Sequence, residues 1–177
     1  MFHRLAYPLA GLIALAAGPA AAQEIADCHT SDSHAVADLP NEDLGSRFLV
    51  SAAAKGCVGA ADEAGLVVGD GEEPLWFAEL RGNKLFLTRS TGPHGDLVVY
   101  DLTSDVRLLD VPADEFDIQD DSVVYWERTE PATAQNCAQI AEYKADGFGA
   151  VISVEKRLVF AGRGPAATGR TRCDATQ

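Results

Sequence analysis

From Leu75 onward the chain is cut into short apolar runs by turn residues, and this punctuation limits the fold more than any other feature. The runs are LWFAEL (75–80), LFLTRS (85–90), LVVYDL (97–102), VRLLDV (106–111), EFDIQ (115–119), SVVYWERT (122–129), AQIAEY (138–143), AVISVE (150–155), RLVF (157–160) and GRTRCDAT (169–176). Each is short, and Val, Ile, Leu, Tyr and Trp recur in them at period two, the spacing of strands. The separators RGNK, STGPHGD, TSD, Asp120-Asp121 and KADGFG are turn material, so consecutive runs should pair antiparallel. Runs such as Val98-Val99-Tyr100 are apolar on both alternate sets, which predicts strands covered on both faces. The expected fold is mainly β: an antiparallel meander of about eight to nine strands, as a twisted sheet or a barrel.

A faint repeat qualifies that expectation. LRGNKLFLTRST (80–91) aligns with IQDDSVVYWERT (118–129) at an offset of 38, and Tyr100 then matches Tyr143 at an offset of 43. A period near 40 with four strands resembles a propeller blade, although no specific blade motif is present. Two blades cannot close a ring, so blade-like fragments are the alternative to the single sheet or barrel.

Residues 23–74 read differently, as a partly helical, loop-rich region. Asn41 suits a helix cap, and Glu42 and Asp43 suit its first turn. Leu44, Phe48, Leu49 and Ala52 share a helical face, and Lys55-Gly56 would end it. Gly45 weighs against this helix, and a strand through RFLVSA is the competing reading. A short turn or helix is expected at 62–64, and GDGEEP (69–74) reads as a loop. The expected organisation is residues 1–22, then 23–74, then the meander 75–177, with 23–177 forming one domain.

The first 22 residues read as a secretory leader. Arg4 precedes a wholly apolar stretch from Leu9 to Ala17, and Ala20-Ala21-Ala22 supplies a small-residue cleavage site before Gln23. The 18 uncharged residues from Leu5 to Ala22 are just long enough to span a bilayer, but Pro8, Gly11, Gly18 and Pro19 break that run. Its removal leaves 13 basic and 27 acidic residues, a formal charge of −14. Such a surface repels phosphate backbones and anionic lipids, so nucleic acid is excluded as a partner and stable membrane insertion after cleavage is not expected. A basic protein is the partner that this charge would attract.

An exported chain with four cysteines, Cys28, Cys57, Cys137 and Cys173, implies two disulfides in the periplasm or outside the cell. Three pairings are possible; Cys28–Cys57 and Cys137–Cys173 keep each bridge within one half of the mature chain. Loops of this length contribute about 3.5 kcal/mol each through closure entropy. The stretch DCHTSDSH (27–34) carries metal-ligand types, but an oxidised Cys28 has no thiolate to give. His29 and His34 lie five apart, off the spacing that shares a helical face. No metal and no cofactor is expected.

Catalytic signals are weak. His94 is the one histidine of the β-rich region, sits in a turn-like segment, and has no GxSxG elbow to serve. The acidic run DVPADEFDIQDD supplies Asp114, Glu115, Asp117, Asp120 and Asp121, read as turn surface and as the candidate patch for a partner. Trp76 and Trp126 occupy comparable runs and could line a groove, whereas Tyr125 and Trp126, being adjacent, must face opposite ways. The resulting expectation is an exported, soluble, non-catalytic binding protein of unknown ligand. Its rivals are a small hydrolase using two carboxylates and an acidic inhibitor of a basic secreted enzyme such as a lysozyme.

Expressed as the full precursor in a bacterial host, the mature protein should begin at Gln23 and be soluble. Intact-mass measurement checks this, and a membrane-bound product retaining Met1 would contradict it.

Overall fold

The turn residues do set the strand boundaries, but the strands do not join into one surface. The computed structural model describes residues 24–69 and 71–177, so the leader segment lies outside the described residues. The first sheet contains β1 (Asp27–Thr30), β2 (His34–Pro40), β3 (Ser46–Ala52) and β4 (Leu66–Val68). The second contains β5 (Leu75–Arg81), β6 (Lys84–Arg89), β7 (Asp96–Asp101) and β8 (Val106–Val111). The third contains β9 (Phe116–Ile118), β10 (Ser122–Pro131), β11 (Gly149–Val159) and β12 (Ala166–Thr176). Each is an antiparallel four-strand meander in chain order, so the expected single sheet or closed barrel is replaced by three separate sheets.

The reason lies in the second sheet, whose side chains are apolar on both faces. Leu85, Leu87 and Val98 pack against Val36, Phe48, Val50 and Val68 of the first sheet. Their neighbours Phe86, Leu97 and Val99 turn the other way, onto Val123, Tyr125 and Leu158 of the third. A strand apolar on both alternate sets needs a layer above and a layer below, which more strands in its own plane cannot supply. The repeat at offset 38 reflects this arrangement, since β6 and β10 are each the second strand of their sheet. Tyr143 is not the counterpart of Tyr100, because it lies in a helix rather than in the third strand of a sheet.

The N-terminal helix is not formed. Residues 46–52 are β3, with Phe48 and Val50 facing the second sheet and Leu49 facing away, so the competing strand reading describes them. Gly45 decides the matter: its φ of 74° lies in the left-handed region, and a Cβ there would stand 2.7 Å from the Leu75 backbone nitrogen. The chain must turn there, directly against the start of the second sheet. DCHTSDSH is a hairpin in which β1 and β2 flank Ser31, whose Oγ donates to the Gly82 carbonyl at 2.6 Å. Conversely, AQIAEY is not a strand. Helix α1 (Ile140–Ala145) replaces it, since Ala, Glu and Lys favour a helical turn and Ile140 and Tyr143 share one face. AVISVE and RLVF merge into the single strand β11.

Both disulfides are present, Cys28–Cys57 and Cys137–Cys173, closing 29 and 36 residues. Each ties down a covering segment. Cys57 and Val58 lie with Ala64 against Ala37, Leu39 and Leu49, the face of the first sheet turned away from the second. Cys137 and Ile140 pack on Ile152 beside Cys173, over the long end of the third sheet. Two bridges of this kind point to an oxidising, exported setting. Among the described residues, no helix is long and apolar enough to cross a membrane.

Lys84 is buried at the start of β6, 3.1 Å from the Asp101 carboxylate across the β6–β7 pair. Burial alone would raise the Asp101 carboxyl, but hydrogen bonds from Lys84 and from the Thr103 and Ser104 amides hold it below its ordinary value. A lowered folded value means stability that is present above the unfolded pKa of about 4 and lost as pH falls through the folded one. Asp101→Asn should therefore lower the urea midpoint at pH 6, and the gap to wild type should shrink below about pH 4. A gap independent of pH would show that the carboxylate charge is not what stabilises this turn.

Candidate functional site

Among the described residues, the third sheet differs from the other two in having one long face with neither a sheet, a helix nor a stapled loop packed on it. On β10, Tyr125 points into the core while Trp126 points out, as their adjacency requires. The register places Trp126 beside Glu155, Arg128 beside Ser153, and Ser153 beside Arg172. Ile152 and Cys173 alternate with these residues and carry the helical cover on the opposite side, so the Trp126 face is free of it.

The chemistry of this face is an aromatic ring set among paired charges. The guanidinium of Arg172 lies 4.3 Å from the centroid of the Trp126 ring, and that of Arg170 lies 5.2 Å from it. Both are within the range in which a cation is drawn to the ring quadrupole. Arg172 also meets Glu115 at 2.8 Å and Asp174 at 2.9 Å. Burial would lower this guanidinium, but hydrogen bonds to Asp174 and Glu115 hold it above its ordinary value. Glu155, nearly buried, accepts from Arg170 and from the Thr168 hydroxyl, each at 2.6 Å.

Two cavities adjoin on this face and share Glu115 and Trp126. One, about 380 Å³, runs over Asp117, Val124, Arg157 and Arg170. The other, about 240 Å³, is lined by His94, Asp114, Arg128, Ser153, Arg172 and Asp174. His94 reaches it from the loop between β6 and β7, held by Asp114, whose Oδ2 lies 3.0 Å from the ring Nδ1. Asp114 also accepts from the Gly95 amide and from Arg128. Arg128 in turn donates to the Gly95 carbonyl at 2.6 Å.

The five acids of the expected partner patch are therefore not alike. Asp114 is a fixed link between two sheets, and Glu115 is tied to Arg172 although it stays largely exposed. Asp117 accepts from Gln119 beside the larger cavity, and Asp121 accepts from the Ser122 hydroxyl. Asp120 is fully exposed, 3.6 Å from Arg81. Trp76 lines neither cavity; it is 42 % exposed and donates to the Ser90 carbonyl.

The opening histidines go elsewhere: His29 stacks on Phe77 with ring centroids 3.5 Å apart, and His34 pairs with Ser33. Among the described residues, no group of three or more ligand-type side chains could hold a metal ion. The sequence reading missed Arg128, Arg170, Arg172, Glu155 and Ser153. For all but Arg128 the one signal was the alternation of polar residues along 153–157 and 168–174, visible once those runs are taken as neighbouring strands.

Asp114→Ala should cost about 2 kcal/mol, because it leaves the Gly95 amide without its acceptor and takes from Arg128 its nearest carboxylate. Glu115→Ala should cost under about 1 kcal/mol, as an exposed ion pair. Urea unfolding of the two variants checks the contrast, and equal costs would mean that Asp114 is surface like the rest. Compared with protein-family models, with curated proteins and with solved structures, the chain matches none of them, so no relative supplies a role for these residues.

Proposed function

We propose that this is an exported binding protein whose contact surface is the open face of the third sheet, centred on Trp126. The observation that carries the reading is the Trp126–Arg170–Arg172 cluster at the junction of two cavities. Tryptophan and arginine dominate the residues that contribute most at binding surfaces, and they do so where a pocket and a polar rim surround them. Localisation in the periplasm or outside the cell belongs to the same proposal.

A hydrolase using two carboxylates is the less supported class. Glu155, Asp114, Glu115 and Asp174 each lie against an arginine, the arrangement of ion pairs rather than of a proton donor. A basic protein such as a lysozyme keeps one specific argument in its favour: the exposed carboxylate of Asp120, with Asp117 and Asp121 nearby in the chain. These three would guide approach, and the Trp126 face would supply contact.

The test uses a Trp76→Phe variant, in which Trp126 is the sole indole, titrated with lysozyme and separately with neutral oligosaccharides. Binding should shift the Trp126 emission, and Arg172→Ala should weaken it by about tenfold. For lysozyme, changing Asp117, Asp120 and Asp121 to Asn should slow association at low salt and leave dissociation nearly unchanged. Binding that ignores both Trp126 and Arg172 would reject this face, and turnover of a glycan or ester would reject the binding class.

A further inference from the structure

We infer that the smaller cavity beside Trp126 is a subsite for one uncharged, hydroxyl-bearing ring, the chemistry of a neutral sugar residue in an oligosaccharide. This rests on the open face being the binding surface and names the ligand class that it takes.

Two polar atoms carry the inference. Ser153 is 1 % exposed, and its Oγ has no hydrogen-bond partner among the described residues. The Nε2 of His94 is likewise buried without a partner, and both residues line the same cavity. Buried polar atoms are nearly always hydrogen-bonded, to protein, water or ligand, so two unpaired ones in one cavity mark where a ligand hydroxyl can take the place of water. Their chemistry is defined. Asp114 can only accept, so the neutral imidazole places its proton on Nδ1 and leaves Nε2 as an acceptor. Ser153 Oγ can both donate and accept. Both atoms are covered, so a side chain over them must shift before a ligand hydroxyl donates to His94 and a neighbouring one accepts from Ser153.

The charges select against ions. Arg128 is engaged by Asp114, and Arg172 by Glu115 and Asp174. An anionic ligand would have to displace a carboxylate from an arginine, and a cationic one would have to take a carboxylate away. Either exchange costs an existing pair, whereas hydroxyl groups use the two atoms that no pair occupies. Val151 and Ala175, beside the Trp126 ring that Arg172 covers, give the cavity apolar wall for the C–H groups of a sugar ring. Its volume of about 240 Å³ is below the usual range for a whole ligand, which begins near 300 Å³. That fits a single ring, and the adjoining cavity across Trp126 gives room for the next one.

The experiment titrates the isotope-labelled mature protein with cellotetraose, maltotetraose and tetra-N-acetylchitotetraose, following backbone amides and the Trp126 indole by NMR. At about 10 mM, which fills even a site of millimolar Kd, at least one sugar should move the Ser153 and Trp126 resonances. Ser153→Ala and His94→Gln, each checked for an unchanged amide spectrum elsewhere, should weaken that sugar by about tenfold. No shift from any of the three sugars overturns the subsite. If lysozyme still moves Trp126 in that case, the binding face survives and only the sugar is wrong. Sugar shifts confined to the first sheet overturn the subsite and the face together. Tighter binding of inorganic phosphate than of any sugar overturns the argument from charge. Hydrolysis of p-nitrophenyl acetate that disappears in Ser153→Ala would make Ser153 a nucleophile and overturn its role as a ligand contact.

Discussion

The two-sided burial of the second sheet is the constraint on which the rest depends. Leu85, Phe86, Leu87, Leu97, Val98 and Val99 are all within 1 % of complete burial, yet they alternate between opposite faces. Side chains of this size contribute about 2 kcal/mol each when removed from water. Neither neighbouring sheet could be lost without exposing half of them. The outer sheets therefore carry the problem of their own second faces. The first solves it with a stapled loop over Ala37, Leu39 and Leu49. The third solves it with charge, by making its second face polar.

That choice explains why the proposed contact surface lies where it does. A protein with 27 acidic residues collects Arg128, Arg157, Arg170 and Arg172 on one face, where Arg128, Arg170 and Arg172 each pair with a carboxylate. Ion pairs at a surface give little stability, so this arrangement is poorly explained by folding alone. It does hold Trp126 in place, because Arg170 and Arg172 are fixed at their far ends by Glu155, Glu115 and Asp174. A ring held in this way loses little freedom on contact with a ligand, which is the condition for efficient binding.

Much of this was legible in the sequence where structure is local. The turn residues marked β5 to β10 closely, Val98-Val99 announced a strand covered on both sides, and the cysteine spacing favoured the two bridges that form. The failures came where local patterns are degenerate. Leu44, Phe48 and Ala52 fit a helical face, while Phe48 and Val50 fit a strand, and only the contact of Gly45 with Leu75 separates the two. The separation into three sheets was hidden because a meander looks the same in sequence whether the next hairpin continues its plane or folds over it. The Trp126 face was hidden for a related reason: its members come from 114–115, 126–128, 153–157 and 168–174, which only the register brings together.

The chain-order meander also has a consequence for how the protein matures. Every strand pairs with a neighbour in sequence, and each disulfide has both ends within one terminal sheet and its cover. A chain delivered amino end first into an oxidising compartment shows its thiols in the order in which they belong together. Cys57 arrives with Cys28 as its sole available mate, and that bond can close before Cys137 and Cys173 emerge. Oxidation in order of arrival thus yields the native bridges directly, sparing the slow reshuffling that interleaved cysteines would demand.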